Sequence, residues 1–128
     1  MKKPLVYISS PYTKGDQLVN ARYQCFIWNR LRSEGVVTPI APLWSAFQHF
    51  IDPVNYQGWM EYDIEIVSRC DALVRCDVVH QWEDGSVYTQ RESRGADMEW
   101  DHAIEIGIPT FIDINSLYRW ANGEYQDG

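Results

Sequence analysis

Leu5-Val6-Tyr7-Ile8-Ser9 is a short run that is largely apolar on both faces. A strand half in water alternates apolar and polar, whereas a run apolar on both sides suits the interior of a parallel sheet covered by helices. It leads into Ser9-Ser10-Pro11-Tyr12-Thr13-Lys14-Gly15, a polar loop with turn residues and one cation. Asp16 follows as an N-cap. The helix it starts is expected to bury a stripe of Leu18, Ala21, Cys25, Trp28 and Leu31, and Gly35 stops it. Residues 36–40 read as a second strand, closing a first βαβ unit.

Outward from that unit, residues 41–56 read as irregular and aromatic, with Trp44, Phe47, His49 and Phe50, and suit a cleft wall. Residues 57–70 read as a second helix with a stripe of Trp59, Asp63, Ile66 and Cys70. Asp63 thus falls inside an apolar stripe, where an unpaired carboxylate is costly. Residues 71–77 form a third strand, followed by a polar loop over 80–92 that turns at Gly85. A helix from Ser93 to about Ile106 is stopped by Gly107; residues 109–114 make a fourth strand, 116–121 a short closing helix, and 122–128 a polar tail. No repeat or linker divides the chain, so residues 1–128 are expected to form one domain. Alternation of strand and helix predicts an α/β fold: a Rossmann- or flavodoxin-like three-layer sandwich with a mainly parallel sheet of four to five strands. Ligands in such sheets bind beyond the carboxyl ends of the strands, where the loops after Tyr7, Ile40 and Asp77 and the Ser93 helix start converge.

The 128 residues are 45% hydrophobic and 14% aromatic, which supports a proper core. A net charge of −7 argues against a nucleic-acid polymer as partner, because phosphate backbones need clustered Lys and Arg. It leaves room for a mononucleotide, which needs only a local anion pocket. No apolar run reaches membrane-spanning length and the start carries no signal-peptide pattern, so no membrane partner and a cytoplasmic location are expected. Cys25, Cys70 and Cys76 are odd in number with no CxxC pair and read as reduced core residues. The separations of His49, His80 and His102 suggest no metal-ligand set, and these histidines read as surface or structural.

The chemistry concentrates in Ser93-Arg94-Gly95-Ala96-Asp97-Met98-Glu99-Trp100-Asp101-His102-Ala103. Ser93 is a good N-cap, and a helix start offers free N–H groups and a positive dipole end to an anion. Gly95 has no Cβ and permits close approach of a ligand. Glu99 lies between Ala96 and Ala103 at i−3 and i+4, on the face where ordinary helices meet a core. A carboxylate on that face is unusual unless something polar opposes it.

Tyr7 in Val-Tyr-Ile-Ser-Ser-Pro, Asp63 ahead of Cys70-Asp71-Ala72-Leu73, and Ser93-x-Gly95-x-x-x-Glu99 with Ala103 resemble, in that order, the nucleoside 2-deoxyribosyltransferase superfamily. That group includes the deoxynucleoside-5′-monophosphate N-glycosidases and small phage and bacterial relatives. The resemblance implies Glu99 as the nucleophile, Asp63 as the acid that protonates the departing base, and Tyr7 as the phenol that orients the nucleophile. Ser93 stands where the hydrolase branch has a phosphate-binding serine and the transferases an aspartate; Gly95 matches the glycine beside the phosphate. Ser9 and Ser10 at the head of the first loop and Trp44 in the cleft wall are expected to contact substrate. The first loop departs from the Gly-Ser-Ile-Arg-Gly-Gly pattern of the hydrolases, and Asp97 replaces a glycine two residues before Glu99. Helical geometry turns Asp97 about 200° away from Glu99.

The residue types suit the chemistry independently. N-glycosidic cleavage makes an oxocarbenium-like sugar that a carboxylate stabilises or captures, and the leaving base needs a proton that a buried acid of raised pKa supplies. The expected activity is an N-glycosidase acting on a nucleoside 5′-monophosphate or related nucleotide, without cofactor or metal. Two alternatives stand beside it: a nucleoside 2-deoxyribosyltransferase, and a non-catalytic nucleotide-binding or sensing module on the same fold. The resemblance leaves a homodimer or higher homo-oligomer open. Plainer readings exist for single residues. A strand Tyr7 is more often core; Arg91 and Arg94 meet a phosphate or simply pair with acids; Trp44, Trp59 and Trp82 stack on a base or pack the core.

Overall fold

The computed structural model describes residues 2–125. Four strands, β1 (Leu5–Ser9), β2 (Thr38–Ile40), β3 (Ala72–Arg75) and β6 (Thr110–Phe111), form a sheet in the order β2-β1-β3-β6 with every pair parallel. β1 is interior, with Tyr7 opposite Ile40 on one side and Leu73 on the other. Among the described residues five α-helices accompany this sheet in a mixed α/β fold: α1 (Gln17–Glu34), α2 (Ser45–Ile51), α3 (Tyr56–Val67), α4 (Arg94–Ile106) and α5 (Ile114–Gly123). The arrangement is compatible with a Rossmann-like fold. No described helix is long and apolar enough to cross a membrane.

The strand period of two sorts the core. Val6, Ile8, Ala72 and Val74 pack on one side with Ile27 and Leu31 of α1 and Leu117 of α5. Tyr7 and Leu73 face the other way, against Val67 of α3, Cys70 and Ala103 of α4. All three cysteines are free thiols.

Local end signals behave as the residue types dictate. The Asp16 side chain accepts from the Val19 N–H, and the Ser93 side chain from the Ala96 N–H. Gly35 and Gly107 end their helices in the left-handed conformation, at φ 73° and 82°, which glycine adopts without strain.

Several expectations need correction. The buried line of α1 is Asn20, Gln24, Ile27 and Leu31, and Leu18 is 84% exposed. The helix is rotated from its apolar stripe because two buried amides face inward. The aromatic segment after Ile40 is not irregular: a 3-10 turn (Pro42–Trp44) runs into α2. The second helix starts one residue earlier than expected and stops at Val67, with Met60, Asp63 and Val67 as its buried residues. The polar loop after the third strand contains a hairpin of β4 (Val78–Gln81) and β5 (Val87–Gln90), antiparallel and separate from the main sheet. The main sheet therefore has four strands, and its last is only two residues long.

Candidate active site

The site lies where β1 ends and α4 begins. Strand alternation puts Tyr7 and Ser9 on one face, and both hydroxyls meet the same carboxyl group. Tyr7 Oη donates to Glu99 Oε2 at 2.5 Å, and Ser9 Oγ donates to Glu99 Oε1 at 2.7 Å. Glu99 is only 6% exposed. Its face of α4, with Ala96 and Ala103 also buried, is narrow enough to let the helix approach the sheet.

A cavity of about 280 Å³ opens in front of this carboxyl group. Glu99, Asp63, Ser10, Ser93 and Gly95 all line it, so five of the eight expected site residues share one space. Tyr7 and Ser9 sit behind Glu99 and act on it through their hydrogen bonds. Trp44 is the correction: it does not line the cavity, and its ring packs edge-on against Trp28 with centroids 5.3 Å apart. Asp97 also stays outside, pairing with Arg75. Arg91 lies near Asp77 at 3.6 Å, the pairing with acids rather than an anion contact.

Among the remaining lining residues from the first loop, the aromatic segment and α3, only His49, as part of the aromatic segment, and Trp59, as a base-stacking or core residue, stand out in the sequence. Tyr12, Thr13 and Gln17 come from the first loop and the start of α1. Leu43 and His49 come from the aromatic segment, and Tyr56, Trp59 and Met60 from the start of α3. The expectation that the aromatic segment forms a cleft wall therefore holds only in part: of Trp44, Phe47, His49 and Phe50, only His49 lines the cavity, and Phe47 and Phe50 are exposed. His49 is part of that wall rather than a bystander. Its Nδ1 accepts from the Trp59 indole N–H at 2.8 Å and from the Val54 N–H at 3.1 Å, which leaves Nε2 as the protonated nitrogen.

Burial dominates the electrostatics. It pushes the Asp63 carboxyl up to about 7. Burial likewise pushes Glu99 up to about 8, with the hydroxyls of Tyr7 and Ser9 working against it and a charged Asp63 adding to it. Tyr7, buried and facing Glu99, is held well above its ordinary value and stays a donor. The two acids titrate as a pair. Once Asp63 is protonated its repulsion vanishes, and two hydroxyl donors favour the anion at Glu99. The arrangement with the charge on Glu99 and the proton on Asp63 is thus the one in which the hydroxyls of Tyr7 and Ser9 support the anion and the two acids do not repel. Asp63 Oδ1 is buried with no hydrogen-bond partner among the described residues, an arrangement suited to a group that meets a ligand atom.

The start of α4 also lines the cavity, through Ser93, Gly95 and Ala96. Ser93 Oγ accepts from the Ala96 N–H, so its own O–H remains available to donate. A Cβ built on Gly95 would meet Met60 Sδ at 3.5 Å and Tyr56 Oη at 3.7 Å, which is ordinary contact. The protein thus has room for a methyl group there, and the space it would take belongs to the cavity. Among the described residues no group of three or more His, Cys, Asp or Glu side chains is placed to hold a metal ion.

Comparison with known protein families, curated proteins and solved structures gives no match to this chain.

Proposed function

We propose that this protein is an N-glycosidase of the nucleoside 2-deoxyribosyltransferase type, acting on a nucleoside 5′-monophosphate or related nucleotide, on a Rossmann- or flavodoxin-like three-layer scaffold. One observation carries the reading. A carboxyl group held by two hydroxyls, Glu99, shares a small cavity with a second buried acid, Asp63, whose buried Oδ1 has no hydrogen-bond partner among the described residues. Two carboxyl groups of opposite protonation are the minimum equipment for retaining glycoside chemistry.

In the first step a Glu99 oxygen attacks C1′ as the C1′–N bond breaks, and the Asp63 proton goes to the departing base nitrogen. The glycosyl ester on Glu99 is then attacked by water, whose proton passes to Asp63. The free sugar leaves, and both acids return to their starting states. Tyr7 and Ser9 hold the attacking carboxylate in one rotamer throughout. A second base in place of water gives transfer with the same residues. The helix start at Ser93 and Gly95 offers N–H groups and a hydroxyl to a 5′-phosphate.

Incubation with deoxynucleosides and their 5′-monophosphates, with free base followed by chromatography, tests the reading. Glu99→Gln is expected to lower base release at least ~10³-fold. Equal release by wild type and variant removes Glu99 from the chemistry.

A further inference from the structure

We propose that the β4–β5 hairpin is a clamp on the cavity-lining loop between β1 and α1, with Tyr88 and Asn20 as its positioning residues. The kinetic part of this inference rests on the N-glycosidase reading; the clamp itself does not.

Neither residue lines the cavity, yet together they hold the segment that supplies Tyr12 and Thr13 to it. Asn20 is fully buried on α1, and its amide group donates to the Tyr12 carbonyl at 3.0 Å and the Lys14 carbonyl at 2.7 Å. Its own oxygen accepts from Tyr88 Oη at 2.9 Å. Tyr88 Oη in turn accepts from the Asp16 N–H at 2.9 Å. One phenol on the hairpin thus ties down both the orienting amide and the end of the loop. A buried amide with all its partners present specifies one geometry, and a missing partner is costly.

The fit between hairpin and loop is close. Tyr88 and Gln90 are two apart on β5 and face the same way, and a Cβ built on Gly15 would stand 2.2 Å from Tyr88 Oη and 2.9 Å from Gln90 Oε1. Gly15 also has φ +79°, so an L side chain there is strained in the backbone as well. The hairpin is anchored from below by the fully buried Val78, and Trp82 packs edge-on against Tyr88. A Lys14–Glu92 ion pair at 3.1 Å joins loop to hairpin exit, but both side chains are exposed and it adds little.

Tyr88→Phe removes the hydroxyl and keeps the ring against Trp82, so the fold should persist. Amide hydrogen exchange over residues 11–16 is expected to quicken at least about fivefold, with the β1 and β3 amides unchanged. In the base-release assay with deoxynucleoside 5′-monophosphates, KM should rise about fivefold or more while kcat stays within about twofold, the split expected when the loop that receives substrate is loosened and the acids are untouched. Gly15→Ala should reproduce both effects, and combining it with Tyr88→Phe should give less than the sum, because the two perturb one contact. Unchanged loop exchange in a folded Tyr88→Phe protein overturns the clamp. A fall in kcat at constant KM assigns Tyr88 to the chemistry instead and also overturns it. If wild type releases no base from any nucleotide, the enzymatic reading falls alone, and hydrogen exchange still decides the clamp.

Discussion

Replacing Glu99 by glutamine removes a titratable carboxyl group from the cavity wall while keeping the length of the side chain. The consequence for stability depends on pH in a way the burial of this group fixes. The ordinary value near 4.5 rises to about 8 in the folded protein, a shift worth roughly 5 kcal/mol between the two protonation states. The sign follows from proton counting. Between those values the native state holds a proton that the unfolded chain has released, so stability falls as pH rises through this window. Below about pH 4 both states are protonated and the effect vanishes. Above about pH 8 the native protein carries the full burden of a buried carboxylate. Relaxation around the charge and the two hydroxyl bonds from Tyr7 and Ser9 reduce what a variant can recover. A gain of at least about 2 kcal/mol for Glu99→Gln at pH 9, and less than about 0.5 kcal/mol at pH 4, is the expected outcome. Urea unfolding followed by tryptophan fluorescence at the two pH values measures it, with equal m values confirming that only the native state changed. A difference between wild type and variant that is the same at both pH values refutes the reasoning, since a pH-independent effect means that Glu99 is not an acid with a raised titration point.

The remaining outcomes concern activity. Asp63→Asn removes the proton donor: kcat/KM should fall much more for substrates with poor leaving bases than for activated ones, and the decline of wild-type rate above about pH 7 should disappear from the residual activity. Equal losses on both substrate kinds would reduce Asp63 to a shaping role. A 5′-phosphate should improve kcat/KM at least about tenfold over the free nucleoside, since charge-assisted hydrogen bonds are worth roughly 1.5–3 kcal/mol each. Ser93→Asp should invert that preference, and a wild type that favours nucleosides leaves Ser93 as a helix cap alone. Gly95→Ala should leave Tm within about 3 °C, because the added methyl group meets Met60 and Tyr56 only at ordinary distance, while raising KM for phosphorylated substrates several-fold; an unchanged KM places the phosphate elsewhere.

The features legible in the sequence were those decided within one turn of chain or by one strand's period. Asp16, Ser93, Gly35 and Gly107 mark helix ends because capping is a bond between near neighbours. Leu5–Ser9 announced an interior parallel strand because no polar face was available to water. The hairpin was missed because Val78–Gln81 and Val87–Gln90 carry polar residues at the same positions that a loop would. Its strands pair only with each other, so they have no long apolar run to signal them. The α2 segment was missed for the opposite reason: Phe47, Phe50 and Ile51 do fall at i, i+3 and i+4, but on a helix of seven residues whose apolar stripe is exposed, and the face it turns to the cavity is made by small or polar residues such as Ala46 and His49.

The site divides along the same physical line. Glu99 and Asp63 were visible because each is a carboxylate on a face where its neighbours are small or apolar, and such a conflict persists only if something opposite resolves it. Here Tyr7 and Ser9 resolve it for Glu99, at sequence separations of 92 and 90 residues. Residues that support the site through another residue produce no such conflict. Asn20 and Gln24 pass in the sequence for the polar side of an amphipathic helix, and periodicity assigns burial to Leu18 instead. Their burial makes sense only against the backbone they serve. Gln24 donates to the Ile8 carbonyl at 3.1 Å and to Ser10 Oγ at 2.8 Å, and accepts from the Leu43 N–H at 2.8 Å, while Asn20 holds Tyr12 and Lys14. These two amides therefore join α1 to both loops that border the cavity. An apolar stripe turned inward at those positions would leave the loop carbonyls and the Leu43 N–H without these partners. The rotation of α1 away from its hydrophobic stripe is thus the structural counterpart of the acids on α3 and α4: hydrophobic burial is given up where the walls of the cavity have to be held in place.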